Sequence, residues 1–152
     1  LTRREAAFVR AAAAAIFPPG GAVSPSGGDA RIAVHTDRWL VRVEPRVRLL
    51  MRLLFFLVEH ATLFFPAPGW NGLRRVSSLR PEQREAALEG WRTSRLGPRR
   101  LVFQALRSIV AMGYLSYPPV LRELGIAPRA IEPGGPLANE APTDPRYADP
   151  AS

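Results

Sequence analysis

The stretch "RVRLLMRLLFFLVEHATLFFP", residues 46–66, constrains this chain more than any other. Thirteen strongly apolar residues lie between Val47 and Phe65, and that much apolar surface must enter a core, a bilayer or another protein. At roughly 0.5 kcal/mol each the apolar residues gain about 6 kcal/mol from a bilayer, while Arg48, Arg52 and Glu59 cost about 3 kcal/mol each near its centre, about 9 in all. Spanning therefore loses. Arg48, Arg52, Glu59 and Thr62 fall on one narrow stripe at helical spacing, and the rest of the circumference is apolar. The segment is expected to be the central helix of a bundle, or a helix pressed between its own domain and a partner.

The opening "LTRREAAFVRAAAAAIFPPGG" admits two readings. Paired arginines before an alanine run resemble a twin-arginine export leader, but Arg10 interrupts the apolar run and no small-residue cleavage site follows. The alternative is a helix. Thr2 and Glu5 have the spacing of a capping box, Ala6 to Phe17 are good or tolerable helix formers, and Pro18-Pro19-Gly20-Gly21 ends the run. Phe8, Ala11, Ala12, Ala15 and Ile16 share one face. The helix is the expected outcome, and the compartment stays open.

Sixteen prolines divide the remainder. Residues 18–28, "PPGGAVSPSGG", read as a flexible connection, since they match neither G-x-G-x-x-G nor a P-loop. Asp29 is expected to cap a helix over 30–43, and Pro45 to break or restart it. "FFPAPGWNGLRRVSS", residues 64–78, reads as an irregular connection, with Trp70 folding back on the core. Pro81 suits the first position of a helix reaching Trp91, with Leu88 and Trp91 buried. Pro98 starts another, with Leu101, Val102, Ala105, Leu106, Ile109, Val110 and Gly113 inward. Pro118-Pro119 opens a last short helix stopped at Gly125. The expected fold is thus all-α: a compact bundle of about five helices over residues 1–126, joined by Pro/Gly-rich connections. An extended Pro-rich tail over 127–152 holds little that could drive a core.

The chemistry of a self-sufficient enzyme is hard to find. The chain has no cysteine and two histidines, His35 and His60, without the i, i+4 spacing of a helical ligand pair. No serine stands in a G-x-S-x-G setting. The net charge of +8 comes from 21 basic residues, all arginine. They are scattered, with no aromatic-interleaved patch or recognition helix, which disfavours nucleic acid as a partner. A basic surface still suits an acidic protein or anionic lipid.

Several stretches, in order, resemble one family. Residues 1–21 give an "LT"-opened helix ending in prolines and glycines, and Asp37-Arg38-Trp39-Leu40 a "D-x-x-L" pattern. "SSLRPEQREAALEGW" at 77–91 is similar to an "L-x-P-E-Q-R" helix start, and "FQALRSIVAMGYLSYPPVLRELG" at 103–125 to a closing helix and turn. Together residues 1–126 resemble the gluconate 2-dehydrogenase subunit 3 family, the small helical subunit of glucose–methanol–choline (GMC) flavoprotein dehydrogenases.

The resemblance implies a non-catalytic accessory subunit that packs on an FAD-dependent alcohol, sugar or sterol oxidoreductase. It implies a hetero-oligomer with FAD in the large subunit and no cofactor or catalytic residue here. Phe55, Phe56, Phe64, Phe65, Trp70 and Tyr114 are the expected contact anchors, because aromatic side chains dominate interface energetics. Arg99 and Arg100 are expected to orient docking to an acidic surface. The alternatives are a peripheral membrane-surface helical protein or a basic nucleic-acid-binding one.

Overall fold

A computed structural model describes residues 1–64 and 74–126. They form an all-α bundle of α1 (Arg3–Ile16), α2 (Ile32–Arg42), α3 (Pro45–Phe64), α4 (Pro81–Arg92), α5 (Gly97–Leu115) and α6 (Pro118–Glu123), with a 3-10 turn at Val76–Ser78 ahead of α4. Six α-helices thus stand among the described residues where about five were expected. The tail from residue 127, Phe65 and Trp70 lie outside the described residues.

The centre of the bundle is α1. Its capping box forms as expected: the Glu5 amide donates to Thr2 Oγ1 at 3.2 Å, and the Thr2 amide to Glu5 Oε2 at 2.6 Å. Ala6, Phe8, Val9, Ala11, Ala12 and Ala13 are all buried, a wider arc than the single face expected. Helices α2, α3, α4 and α5 all pack on it. Alanine holds a helix at no propensity cost and lets neighbouring axes come close. Of the two placements expected for the apolar segment, the central one does not hold: α3 lies against α1, the 3-10 turn and α5 on one side alone.

The connection from α1 to α2 is clamped. The Gly27 amide donates to Phe17 O at 2.8 Å. A Cβ at Gly27 would stand 2.0 Å from Ala13 O, so the loop backbone rests on the end of α1 in a way that only glycine permits. Tyr114 donates its hydroxyl to Pro25 O at 2.6 Å, and its ring stacks on Phe17 with centroids 4.0 Å apart. Asp29 does not cap α2. Its carboxylate accepts from the Ser26 amide at 3.1 Å and hydroxyl at 2.7 Å, a local turn that consumes the acceptor, and α2 starts from Arg31 at φ 47°.

Pro81 takes the first position of α4, whose Leu88 and Trp91 are buried. In α5 the inward residues are Phe103, Leu106, Ile109, Val110, Gly113 and Tyr114. Leu101, expected inward, is 72% exposed, and Phe103 fills the core instead. Helix α6 ends in a Schellman motif: the Ile126 amide donates to Leu121 O at 2.8 Å, the Gly125 amide to Arg122 O at 3.1 Å, and Gly125 sits at φ +69°.

Candidate docking surface

Helix α3 is amphipathic with its faces reversed. The polar stripe read from the sequence runs along the seam with the rest of the protein, with Arg52 still exposed at its edge, and each member ties down a different neighbour. Arg48 donates Nε to Leu40 O at 2.7 Å and Nη2 to Val41 O at 3.0 Å, satisfying carbonyls at the end of α2 that have no helical partner. Arg52 Nε donates to Glu5 Oε1 at 2.7 Å, joining α3 to the first turn of α1. Glu59, buried, accepts from the amide of Ser77 at 3.0 Å and from its hydroxyl, which holds the 3-10 turn. Thr62 Oγ1 donates to Arg74 O at 2.6 Å. Beside this seam, Leu54, Phe55, Val58 and Ala61 enter the core.

The opposite side is apolar and bare. Leu49, Leu50, Leu53, Phe56, Leu57 and Phe64 are between 50% and 80% exposed. Their spacing of three, four and seven residues makes one stripe, about 22 Å long at the helical rise. It offers about 700 Å2 of apolar surface, taking about 200 Å2 for each such side chain when fully bare. A standard interface buries about 800 Å2 per partner, so the patch is near what one needs. Arg42 and Arg46, both exposed, stand at the end of this helix where α2 gives way to α3. Among the described residues no helix is long and apolar enough to cross a membrane.

The expected anchors separate into groups. Phe56 and Phe64 belong to the bare stripe, with Phe56 packed on the His60 ring at 4.2 Å between centroids. Phe55 does not: it is 1% exposed and packs against Phe8 at 5.9 Å. Tyr114 is likewise interior, clamping the connection to α2. Phe65 and Trp70 lie outside the described residues. Arg99 and Arg100 lie in the first turn of α5 and serve their own chain. The Arg99 guanidinium lies 4.9 Å above the Trp91 ring, and Arg100 Nη1 donates to Ser94 O at 2.8 Å.

Sequence reasoning missed Leu49, Leu50, Leu53 and Leu57 as surface residues because it ranked aromatics first. The available signal was their position across the helix from the polar stripe.

Concave features lie elsewhere on the described residues. One groove of about 680 Å3 lies between the end of α1, α4 and α5, edged by Glu82, Glu85, Glu89 and Arg92 of α4 and by Arg107 of α5. A smaller cleft of about 220 Å3 lies between the start of α1 and the middle of α3. Among the described residues no group of three or more His, Asp or Glu side chains is placed to hold a metal ion. His35, half-buried on α2, has its pKa lowered by burial and then by Arg38 and Arg42. No family model matches the chain, and no curated protein or solved structure is measurably similar to it.

Proposed function

We propose that this chain is the non-catalytic small subunit of a GMC-type, FAD-dependent oxidoreductase, and that it docks on the large subunit through the outward face of α3. The observation that carries the docking is the reversal of that helix: its polar residues Arg48, Arg52, Glu59 and Thr62 bond to their own chain, and an apolar stripe from Leu49 to Phe64, broken only by His60 beside Phe56, faces out. Covering about 700 Å2 gains on the order of 17 kcal/mol from apolar burial before the losses of association. Such binding stabilises whichever folded partner it selects. The flavoprotein identity of that partner comes from the resemblance of residues 1–126.

The test is co-expression with a GMC-type flavoprotein of the same genome, followed by size exclusion with flavin absorbance. Co-elution with the wild-type chain, lost when Leu49, Leu53 and Leu57 are all changed to Gln, is the expected result. These positions are exposed, so the variant keeps its own thermal transition. A flavoprotein that is soluble, active and alone in the absence of this chain would sink the proposal, as would a variant that still co-elutes.

Arg42 and Arg46 beside the stripe favour a second reading, in which the same face lies in an anionic lipid surface. Flotation of the isolated chain with anionic vesicles, abolished by the triple Gln variant, would select it.

A further inference from the structure

We propose that the cleft between the first turn of α1 and the middle of α3 binds a small amphipathic monocarboxylate. The inference stands whether or not α3 docks to a partner, although Phe56 borders both surfaces. The floor of the cleft is aromatic. Phe8 and Phe55 meet there at 5.9 Å, and the Phe56–His60 pair forms one wall. Such a floor takes a hydrocarbon or single-ring stem.

The rim carries Arg4, Arg52 and Arg75 together with Glu5 and Glu59. Both carboxylates are already engaged. Glu5 accepts from Thr2 and Arg52, and Glu59 from Ser77. Burial alone would raise the Glu5 pKa, but the Thr2 amide and the Arg52 guanidinium hold it below its ordinary value. It is therefore charged at neutral pH.

Arg75 is different. Half-buried at the start of the 3-10 turn, it meets no carboxylate within ion-pair distance among the described residues, and neither does Arg4. A guanidinium facing an aromatic-floored cleft is a natural bidentate donor to a planar carboxylate.

The charge balance sets the valence. Three guanidiniums against two carboxylates leave one positive charge when His60 is neutral, which one carboxylate neutralises. A phosphate dianion would leave the cleft net negative, beside two fixed carboxylates. The volume of about 220 Å3 is below the roughly 300–1,000 Å3 of sites for drug-sized molecules, so the ligand is a short-chain or single-ring acid. The larger groove between α4 and α5 has the opposite balance, with Glu82, Glu85 and Glu89 against Arg92 and Arg107, and its Arg92 already pairs with Glu89 at 2.6 Å.

The test uses the full chain, isotopically labelled, titrated with 3-phenylpropionate and followed by amide chemical shifts. Saturable shifts at Thr2, Arg4, Phe56 and Arg75 are expected, with no such response to the neutral 3-phenylpropionamide and a weaker one to phenylphosphonate. Arg75→Gln should weaken binding about tenfold, the effect of losing one charge-assisted contact. Arg4→Gln, at an exposed position, supplies a second variant should Arg75→Gln disturb the turn. Equal response to acid and amide, absence of saturable shifts up to millimolar concentration, or unchanged affinity in both variants would overturn the site.

Discussion

Arg48 and Leu40 hold the α2–α3 corner together. The Arg48 guanidinium donates to Leu40 O at 2.7 Å, and its second nitrogen reaches Val41 O at 3.0 Å and Val43 O at 3.4 Å. A residue that reads as one charge on a greasy helix is the cap of its neighbour.

Arg48→Met keeps an unbranched apolar stem and removes these donors. It is expected to destabilise the chain by about 1–3 kcal/mol, the range for charged hydrogen bonds at a partly buried site. Arg46→Met, two residues away and exposed, should stay within about 0.5 kcal/mol. Urea unfolding followed by circular dichroism compares the two, and equal effects would refute the capping role.

Gly113 and Gly90 predict opposite signs for one substitution. A Cβ at Gly113 would lie 2.8 Å from Ile32 Cγ2, a branched methyl on a buried side chain, whereas a Cβ at Gly90 meets nothing within 4 Å. Gly113→Ala should cost about 1–3 kcal/mol through overpacking of α2 on α5, against a helix-propensity gain of about 1 kcal/mol. Gly90→Ala should gain about 0.5–1 kcal/mol. Thermal melts read both, and a stabilising Gly113→Ala would mean that the helices can move apart freely.

Tyr114→Phe isolates one hydrogen bond. It leaves the ring on Phe17 and removes the hydroxyl from Pro25 O, for an expected loss of about 1 kcal/mol. Hydrogen exchange should also quicken at the Gly27 amide, which the same clamp protects. Faster exchange confined to α5 would contradict the clamp.

Acid should weaken the fold through His35. Burial, with Arg38 and Arg42, lowers its pKa in the folded chain, so between that lowered value and about 6.5, the usual unfolded value, the unfolded state binds more protons. This contribution to stability is complete above the unfolded value and declines as pH falls through that window. His35→Gln should flatten the fall in melting temperature between neutral pH and the onset of carboxylate titration. An unchanged slope would place the sensitivity elsewhere.

Local signals were legible in the sequence. The Thr2–Glu5 box, the proline at the start of α4, the break at Pro45 and the glycine stop of α6 each depend on neighbours a few residues away, and each has its expected form. The direction of α3 was not legible. Periodicity locates a polar stripe but assigns it to solvent by default, and only the carbonyls of α2, Glu5 and Ser77, supplied by the fold, turn it inward. The same holds for the connection before α2: its glycines and prolines read as loose because the contacts of Gly27 with Ala13 and Pro25 with Tyr114 join distant parts of the chain. Leu101 and Phe103 differ by two positions on α5, a rotation that decides burial and that a pattern of apolar letters does not fix.

Directional bonds also govern what α3 can do when alone. A helix held by oily contacts only can roll about its axis and tuck its leucines away from water. Anchored at four points along its length, α3 has no such freedom, so the solitary chain cannot camouflage itself. It should clump as its concentration climbs, and its abundance in a cell is best matched to that of whatever shields it.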